Sequence, residues 1–166
     1  RARRELGGGV VFELSHEIDY LRWMVAEVSE VSAFIAKISD FDIDVEDIAE
    51  INLRFDNKAI GHIHLDMVDR AMNRSCRIVG TEGTLVWDSS GSHCARMYSS
   101  KDNTWSDLCE TGPVDYNQMY ISESAHFFDC VRGNGKPSVT GEDGRRVIEI
   151  ALAAKRSAQE GREVKV

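Results

Sequence analysis

Two alternating runs joined by a short polar turn limit the fold more than any other stretch of the chain. Ile48-Ala49-Glu50-Ile51-Asn52-Leu53-Arg54-Phe55 repeats apolar and polar residues almost strictly, with Ile51, Leu53 and Phe55 in phase. Asp56-Asn57-Lys58 follows, and Ala59-Ile60-Gly61-His62-Ile63-His64-Leu65-Asp66-Met67 alternates again. A period of two marks a half-buried strand, and two such runs around a polar turn predict a β-hairpin. His62 and His64 stand two apart and so point to one sheet face. No third ligand accompanies them at metal-binding spacing, so they read as half-exposed positions on a polar face open to a partner.

The rest of the chain supplies further strands and three helices. Val28–Ser39 reads as a strand with imperfect alternation, and Ser75–Gly80 and Leu85–Asp88 as two more. Gly80-Thr81-Glu82-Gly83 between them lacks the following Lys-Ser/Thr of a phosphate loop and reads as a hairpin turn. His93–Ser99 and Thr104–Cys109 are weaker strands between Ser/Asp/Asn-rich turns. Asp40, Asp42, Asp44, Glu46 and Asp47 lack the central Gly and distal Glu of a calcium loop and read as a solvated loop. Asp115–Val131 reads as a helix with Met119, Ala125, Phe127 and Phe128 on its apolar face, stopped by Arg132-Gly133-Asn134-Gly135-Lys136-Pro137. Thr140 or Gly141 opens a last helix through Val147, Ile150, Leu152 and Ala154 to about Gln159, with Gly161 as C-cap and Glu163–Val166 as a closing edge strand. The fold class is therefore α+β: an open, mostly antiparallel sheet with helices packed on one face. The uncovered face invites subunit contact.

The stretch Gly7–Trp23 carries the chemistry. Three consecutive glycines give a backbone that other groups can approach closely. Val10–Phe12 form a short apolar run, and Ser15 offers an N-cap hydroxyl. Leu14, Ile18, Leu21 and Val25 recur at helical spacing, which predicts a helix from about Ser15 to Ala26. His16 then lies in the first turn, where open amides and the helix dipole favour a neutral imidazole. Asp19 is three residues on and Glu13 just outside the cap. An imidazole flanked by carboxylates beside a glycine-rich approach is equipment for proton transfer. Spacing alone leaves His16 open as a surface or capping residue. The glycines lack the G-x-G-x-x-G spacing of a dinucleotide turn.

Gly7-Gly8-Gly9-Val10-Val11-Phe12-Glu13-Leu14-Ser15-His16-Glu17-Ile18-Asp19-Tyr20-Leu21-Arg22-Trp23 resembles the start of the C-terminal domain of the Gfo/Idh/MocA family. These are NAD(P)-dependent dehydrogenases related to glucose–fructose oxidoreductase and inositol dehydrogenase. Leu65–Arg74, Ile78–Leu85, Met119–Phe127 and Val139–Arg146 resemble the family's later segments, in order. The resemblance implies that His16, with Glu13 at the position of the family's Asp and a Lys from another domain, handles the proton that accompanies hydride transfer from a sugar hydroxyl. Glu replaces Asp, and the spacer before His16 is one residue shorter, a form that resembles members acting on nucleotide-linked sugars. Asp19, Arg74, Asn117 and Tyr120 are candidates for the substrate side. Asp19 reads equally as a local helix partner, Arg74 as a surface charge and Tyr120 as core-edge packing. The family's Rossmann half, with its nucleotide fingerprint and Glu-Lys-Pro motif, has no counterpart in these residues, so NAD or NADP is expected to sit mainly on a preceding N-terminal domain.

Composition bounds the partners. A net charge of −8 and a pI near 5.1 argue against nucleic acid or an anionic membrane. No apolar run is long enough to span a bilayer and no signal-peptide pattern is present. Cys76, Cys94, Cys109 and Cys130 show no C-x-x-C pairing and suit a reducing, cytoplasmic setting, although an even count leaves bridges open. The chain starts at Arg1 without a Met and reads as one C-terminal domain, a piece of a longer protein. The expected function is the substrate-binding half of an NAD(P)-dependent oxidoreductase acting on a sugar or nucleotide sugar, assembled as a homo-oligomer through the open sheet face. The alternative is a non-catalytic oligomerisation or ligand-binding module.

Overall fold

A computed structural model describes residues 3–71, 73–89, 95–109 and 115–166. In chain order the elements are α1 (Val10–Glu13), α2 (His16–Met24), β1 (Val28–Ala36), β2 (Ile48–Phe55), β3 (Ile60–Asp66), β4 (Ser75–Val79), β5 (Gly83–Asp88), β6 (Arg96–Ser99), β7 (Thr104–Asp107), α3 (Tyr116–Val131), α4 (Gly141–Glu160) and β8 (Val164–Lys165). They form two compact units: Arg1–Val68 with Ser138–Val166, and Asp69–Pro137. The α+β class with open antiparallel sheets is the one the sequence indicates, and the strands divide over two four-stranded sheets.

In the first unit the sheet runs β3-β2-β1-β8, every pair antiparallel. The hairpin is β2–β3, with Ile51 opposite Ile63 and Asn52 opposite His62. Its turn closes when the Phe55 N–H donates to the Ala59 carbonyl at 3.0 Å. The alternation sorts the side chains by face. Ala33, Ala49, Ile51, Leu53, Ile63 and Leu65 are buried on the inner side, with Val147, Ile150, Ala151 and Ala154 of α4 in the same core. Alanines on the buried stripe of α4 let its backbone lie close to β1. Thr140 starts that helix through a reciprocal capping box with Asp143, and Gly161 ends it at φ 63°. Buried Ser157 ties helix to sheet: its Oγ accepts from the Ala33 N–H at 3.1 Å and donates to the Arg162 carbonyl at 2.6 Å. The outer face carries the rows Phe34–Glu50–His64, Ser32–Asn52–His62 and Glu30–Arg54–Ile60.

The second unit has the sheet β4-β5-β6-β7, also antiparallel throughout, and helix α3. The Gly80–Gly83 turn joins β4 to β5, the Gly80 N–H donating to the Gly83 carbonyl at 2.9 Å. The Asp115 side chain caps α3, accepting from the Asn117 N–H at 3.0 Å. Among the described residues no helix is long and apolar enough to cross a membrane.

Three sequence readings need correction. Ser15 is not a cap: its φ and ψ are helical (−61°, −18°) and its side chain makes no capping bond, because Val10–Phe12 are already helical and α1 runs almost directly into α2. The acidic loop is not simply solvated. Asp47 is fully buried, its carboxylate accepting from the Ile38 N–H at 2.8 Å, the Ser39 N–H at 3.0 Å and the Ser39 hydroxyl. The thiols are not all unpaired: Cys109 is disulfide-bonded, the possibility an even count leaves open, whereas Cys76 and Cys130 form no disulfide. Of the expected strand His93–Ser99, Arg96–Ser99 is extended, and His93 and Cys94 lie outside the described residues.

Candidate active site

The glycine run sets the site's backbone. Gly7 takes φ 73° to end a 3-10 turn at Arg4–Leu6, and Gly9 takes φ 122°. A Cβ on Gly9 would fall 2.6 Å from the Glu46 carboxyl carbon, so this position requires glycine both for its backbone angle and for the close approach. The Val10 N–H donates to the Glu46 carbonyl at 3.1 Å, and Val10 and Val11, the first two residues of α1, are fully buried. Glu46 is held in turn by Lys155 of α4 at 2.5 Å, whose ammonium also lies 4.8 Å from the centre of the Phe12 ring. This anchored turn delivers Glu13 at the exposed end of α1 and His16 at the start of α2.

His16 is half exposed, and its Nε2 lies 3.2 Å from Glu17 Oε1. Glu17 is 9% exposed, with Ile18 beside it in the core. Glu13, the expected partner, is exposed, and its carboxylate joins none of the ion pairs or hydrogen bonds among the described residues, although its N–H donates to the Gly9 carbonyl at 2.9 Å. Adjacent helical positions do not normally face each other, so spacing gave no hint of Glu17.

Asp19 lies 3.6 Å from Arg22 Nη1, three residues on. Arg22 is almost wholly buried; its Nε donates to Glu27 at 3.2 Å, Nη2 to Glu27 as well, and Nη1 to the Asp143 carbonyl at 3.3 Å. Hydrogen bonding to Arg22 holds Glu27 below the usual carboxylate range, and the same bond pushes the guanidinium up, against its burial. Arg22 therefore clamps the end of α2 to the capping box of α4. The sequence shows its Asp19 contact as an i, i+3 pair, but nothing in it marks a partner 121 residues away.

The other substrate-side candidates belong to the second unit. Arg74 precedes β4, its guanidinium 5.6 Å from the centre of the Trp87 ring. Tyr120 is 63% exposed on α3, which shows no core-edge packing. Asn117 lies exposed in the first turn of α3. Among the described residues no group of His, Cys, Asp and Glu could hold a metal ion. His62 and His64 do share the outer face, bonded to Glu50, Asn52 and Asp66.

A dinucleotide does not fit the glycine turn. The space beside Gly9 is filled by the Glu46 carboxylate, which would repel a pyrophosphate, and the helix that follows has only four residues. No parallel strand pair exists among the described residues to build a nucleotide-binding crevice.

Comparisons with known proteins agree with this geometry. The chain is 28% identical to the myo-inositol 2-dehydrogenase of Thermotoga maritima over 170 residues, covering 97% of this chain and 50% of that protein. It is 25% identical to the 1,5-anhydro-D-fructose reductase of Ensifer adhaerens, covering 99% of this chain and 49% of that protein. Among solved structures, a levoglucosan dehydrogenase in complex with NADH superposes with a TM-score of 0.87 at 23% identity, over 96% of this chain and 50% of that one. The WlbA dehydrogenase of Bordetella pertussis, in complex with NADH and UDP-GlcNAcA, gives 0.77 at 25% identity, over 100% and 47%. The chain thus spans about half the length of these relatives. The family profile described as the oxidoreductase family's C-terminal alpha/beta domain matches residues 1–166, and the chain belongs to that family, Gfo/Idh/MocA.

Proposed function

We propose that this chain is the substrate-binding half of an NAD(P)-dependent dehydrogenase that moves a hydride between a sugar or nucleotide-sugar hydroxyl and the nicotinamide. The observation that carries the reading is His16, half exposed at the first turn of α2, with the Glu17 carboxylate 3.2 Å from its ring. The relatives' printed activities on inositol and anhydrofructose, and the UDP-sugar in one neighbour, support the substrate class.

Oxidising an alcohol to a ketone removes a proton as well as a hydride, and the proton needs an acceptor within hydrogen-bond reach. His16 takes it, and the adjoining carboxylate offsets the charge the ring gains. Glu13 orients or relays from the exposed side. Asp19, steadied by Arg22, and Arg74, Asn117 and Tyr120 contribute to holding the sugar. The nicotinamide supplies the hydride chemistry and rests mainly on a preceding dinucleotide domain, a reading supported by the closed turn at Gly9.

The test is made in the longer protein that contains this chain. His16→Ala should lower turnover by about 10²–10⁴-fold, the scale for losing a positioned acid/base, with NAD(P)H affinity nearly unchanged. Glu13→Gln should cost less. Near-normal turnover in His16→Ala would return His16 to a surface role. The same closed turn favours the competing reading, a binding or oligomerisation module without chemistry, which a longer protein inactive on every sugar tested would support.

We also propose that the outer face of the first unit's sheet joins a second copy of the chain. Phe34 and Ile60 are 77% and 80% exposed there, and acidic and basic positions are interleaved around them. Sedimentation at micromolar concentration should show a dimer or larger.

A further inference from the structure

We infer that this outer face is a proton-controlled self-association surface, with His64, clasped between Glu50 and Asp66, as the group whose protonation tightens the assembly. The inference rests on the self-association reading above. His64 Nδ1 lies 2.6 Å from Glu50 Oε1, and Nε2 lies 3.0 Å from Asp66 Oδ2. An ionised carboxylate only accepts, so a ring bonded to two of them carries a proton on each nitrogen and is an imidazolium. The Glu50 bond pushes His64 above the ordinary imidazole value of 6.5, burial opposes it, and Asp66 adds to the rise.

Glu50 is shared. Its other oxygen lies 3.0 Å from His62 Nε2, whose Nδ1 lies 3.2 Å from Asn52 Oδ1. The amide of Asn52 can present either its oxygen or its NH₂ group, so His62 is satisfied without a charge, whereas His64 is not. On β1 the residue in the same row is Phe34, which is uncharged; two rows away Arg54 pairs with Glu30 at 2.9 Å and with Glu163 at 3.5 Å. Helix α4 covers the opposite face and adds no charge to this cluster.

With His64 protonated, Glu50, Asp66 and His64 sum to one negative charge; without the proton they sum to two. A second copy laid over the face removes the water that solvates this cluster, and the more highly charged form costs more to cover. Association therefore draws protons onto His64. The sign follows from that difference in covering cost: the favourable contribution is present while the ring is protonated and is lost as pH rises and the ring gives up its proton.

The 166-residue chain can be followed by sedimentation equilibrium from about pH 5 to about pH 9, which brackets the imidazole range. The dissociation constant should rise roughly tenfold or more across that range. His64→Gln, which still bonds one carboxylate but does not titrate, should flatten the dependence. Ring NMR of the unsubstituted chain needs no variant, and His64 should titrate above 6.5. Association that ignores pH, an unchanged dependence in His64→Gln, or a His64 ring titrating at or below 6.5 overturns this inference alone. A monomer at every pH overturns the self-association reading and this inference together.

Discussion

Each unit has a four-stranded antiparallel sheet and a long helix, α4 of 20 residues in the first and α3 of 16 in the second. Yet every buried hydrophobic side chain among the described residues belongs to the first. The strands β2 and β3 alternate cleanly, and their apolar phase meets an α4 stripe of Val147, Ile150, Ala151 and Ala154. In the second unit α3 leaves Tyr120, Ile121, Phe127, Phe128 and Val131 more than half exposed. The difference teaches that periodicity makes an element, while a core needs a second apolar face of matching shape laid against it.

The largest test of this contrast is a pair of truncations. Ile51 is fully buried, and Ile51→Ala should cost about 2–5 kcal/mol in denaturant unfolding. Phe128 is 54% exposed, and Phe128→Ala should change the same transition by no more than about 0.5 kcal/mol. Amide exchange should agree, with β1–β3 protected to near the global limit and β4–β7 opening locally. Equal costs for the two truncations would show that burial does not divide the chain in this way.

The same contrast explains what could be read in the sequence. The β2–β3 hairpin, the Gly80–Gly83 turn, α4 with its caps and the closing strand β8 were all legible, because each is set by local alternation or local turn chemistry. The division into two sheets was not, since pairing between distant strands leaves no local mark. Of the candidate site, the place of His16 at a helix start was legible from the apolar spacing behind it. Its carboxylate neighbour Glu17 was not, because the spacing rule points to Glu13. Glu46–Lys155 and Arg22–Asp143 join residues more than a hundred positions apart, and single charged residues carry no record of such partners. Asp47 looked solvated because its acidic surroundings hide that one carboxylate turns inward.

Asp47 gives a test of intermediate size. Burial alone would push its carboxyl up, but the Ser39 hydroxyl and the Ile38 and Ser39 amides, helped by Lys37, hold it below the usual value of 3.8. A folded value below the unfolded one gives stability that is present above the unfolded pKa and is lost as pH falls through the folded one. Asp47→Asn should therefore destabilise by about 1–3 kcal/mol near neutrality, since the amide cannot satisfy all three donors as a carboxylate does. The penalty should shrink in acid, where the native carboxyl takes up its own proton. No polar side chain of the second unit is buried among the described residues, so β1–β3 amides should report the acid loss first. An acid limb identical in Asp47→Asn and the unsubstituted chain would remove Asp47 from it.

The smallest test uses one chemistry in both units. Thr140 caps α4, its Oγ1 accepting from the Asp143 N–H at 3.2 Å, and Asp115 caps α3, accepting from the Asn117 N–H at 3.0 Å. Loss of either cap should weaken its own helix by about 1 kcal/mol. Where the helix belongs to the core, that loss passes to the whole unit, because α4 cannot fray without exposing Val147 and Ile150. Thr140→Ala should thus lower the global unfolding free energy by about 1 kcal/mol. Helix α3 covers no buried residue of its own, so Asp115→Ala should leave the global transition in place. It should instead speed exchange of the α3 amides by about fivefold, the factor that 1 kcal/mol represents. If Asp115→Ala moves the global midpoint as far as Thr140→Ala, the second unit unfolds together with the first, and its exposed helix is tied into the same cooperative transition.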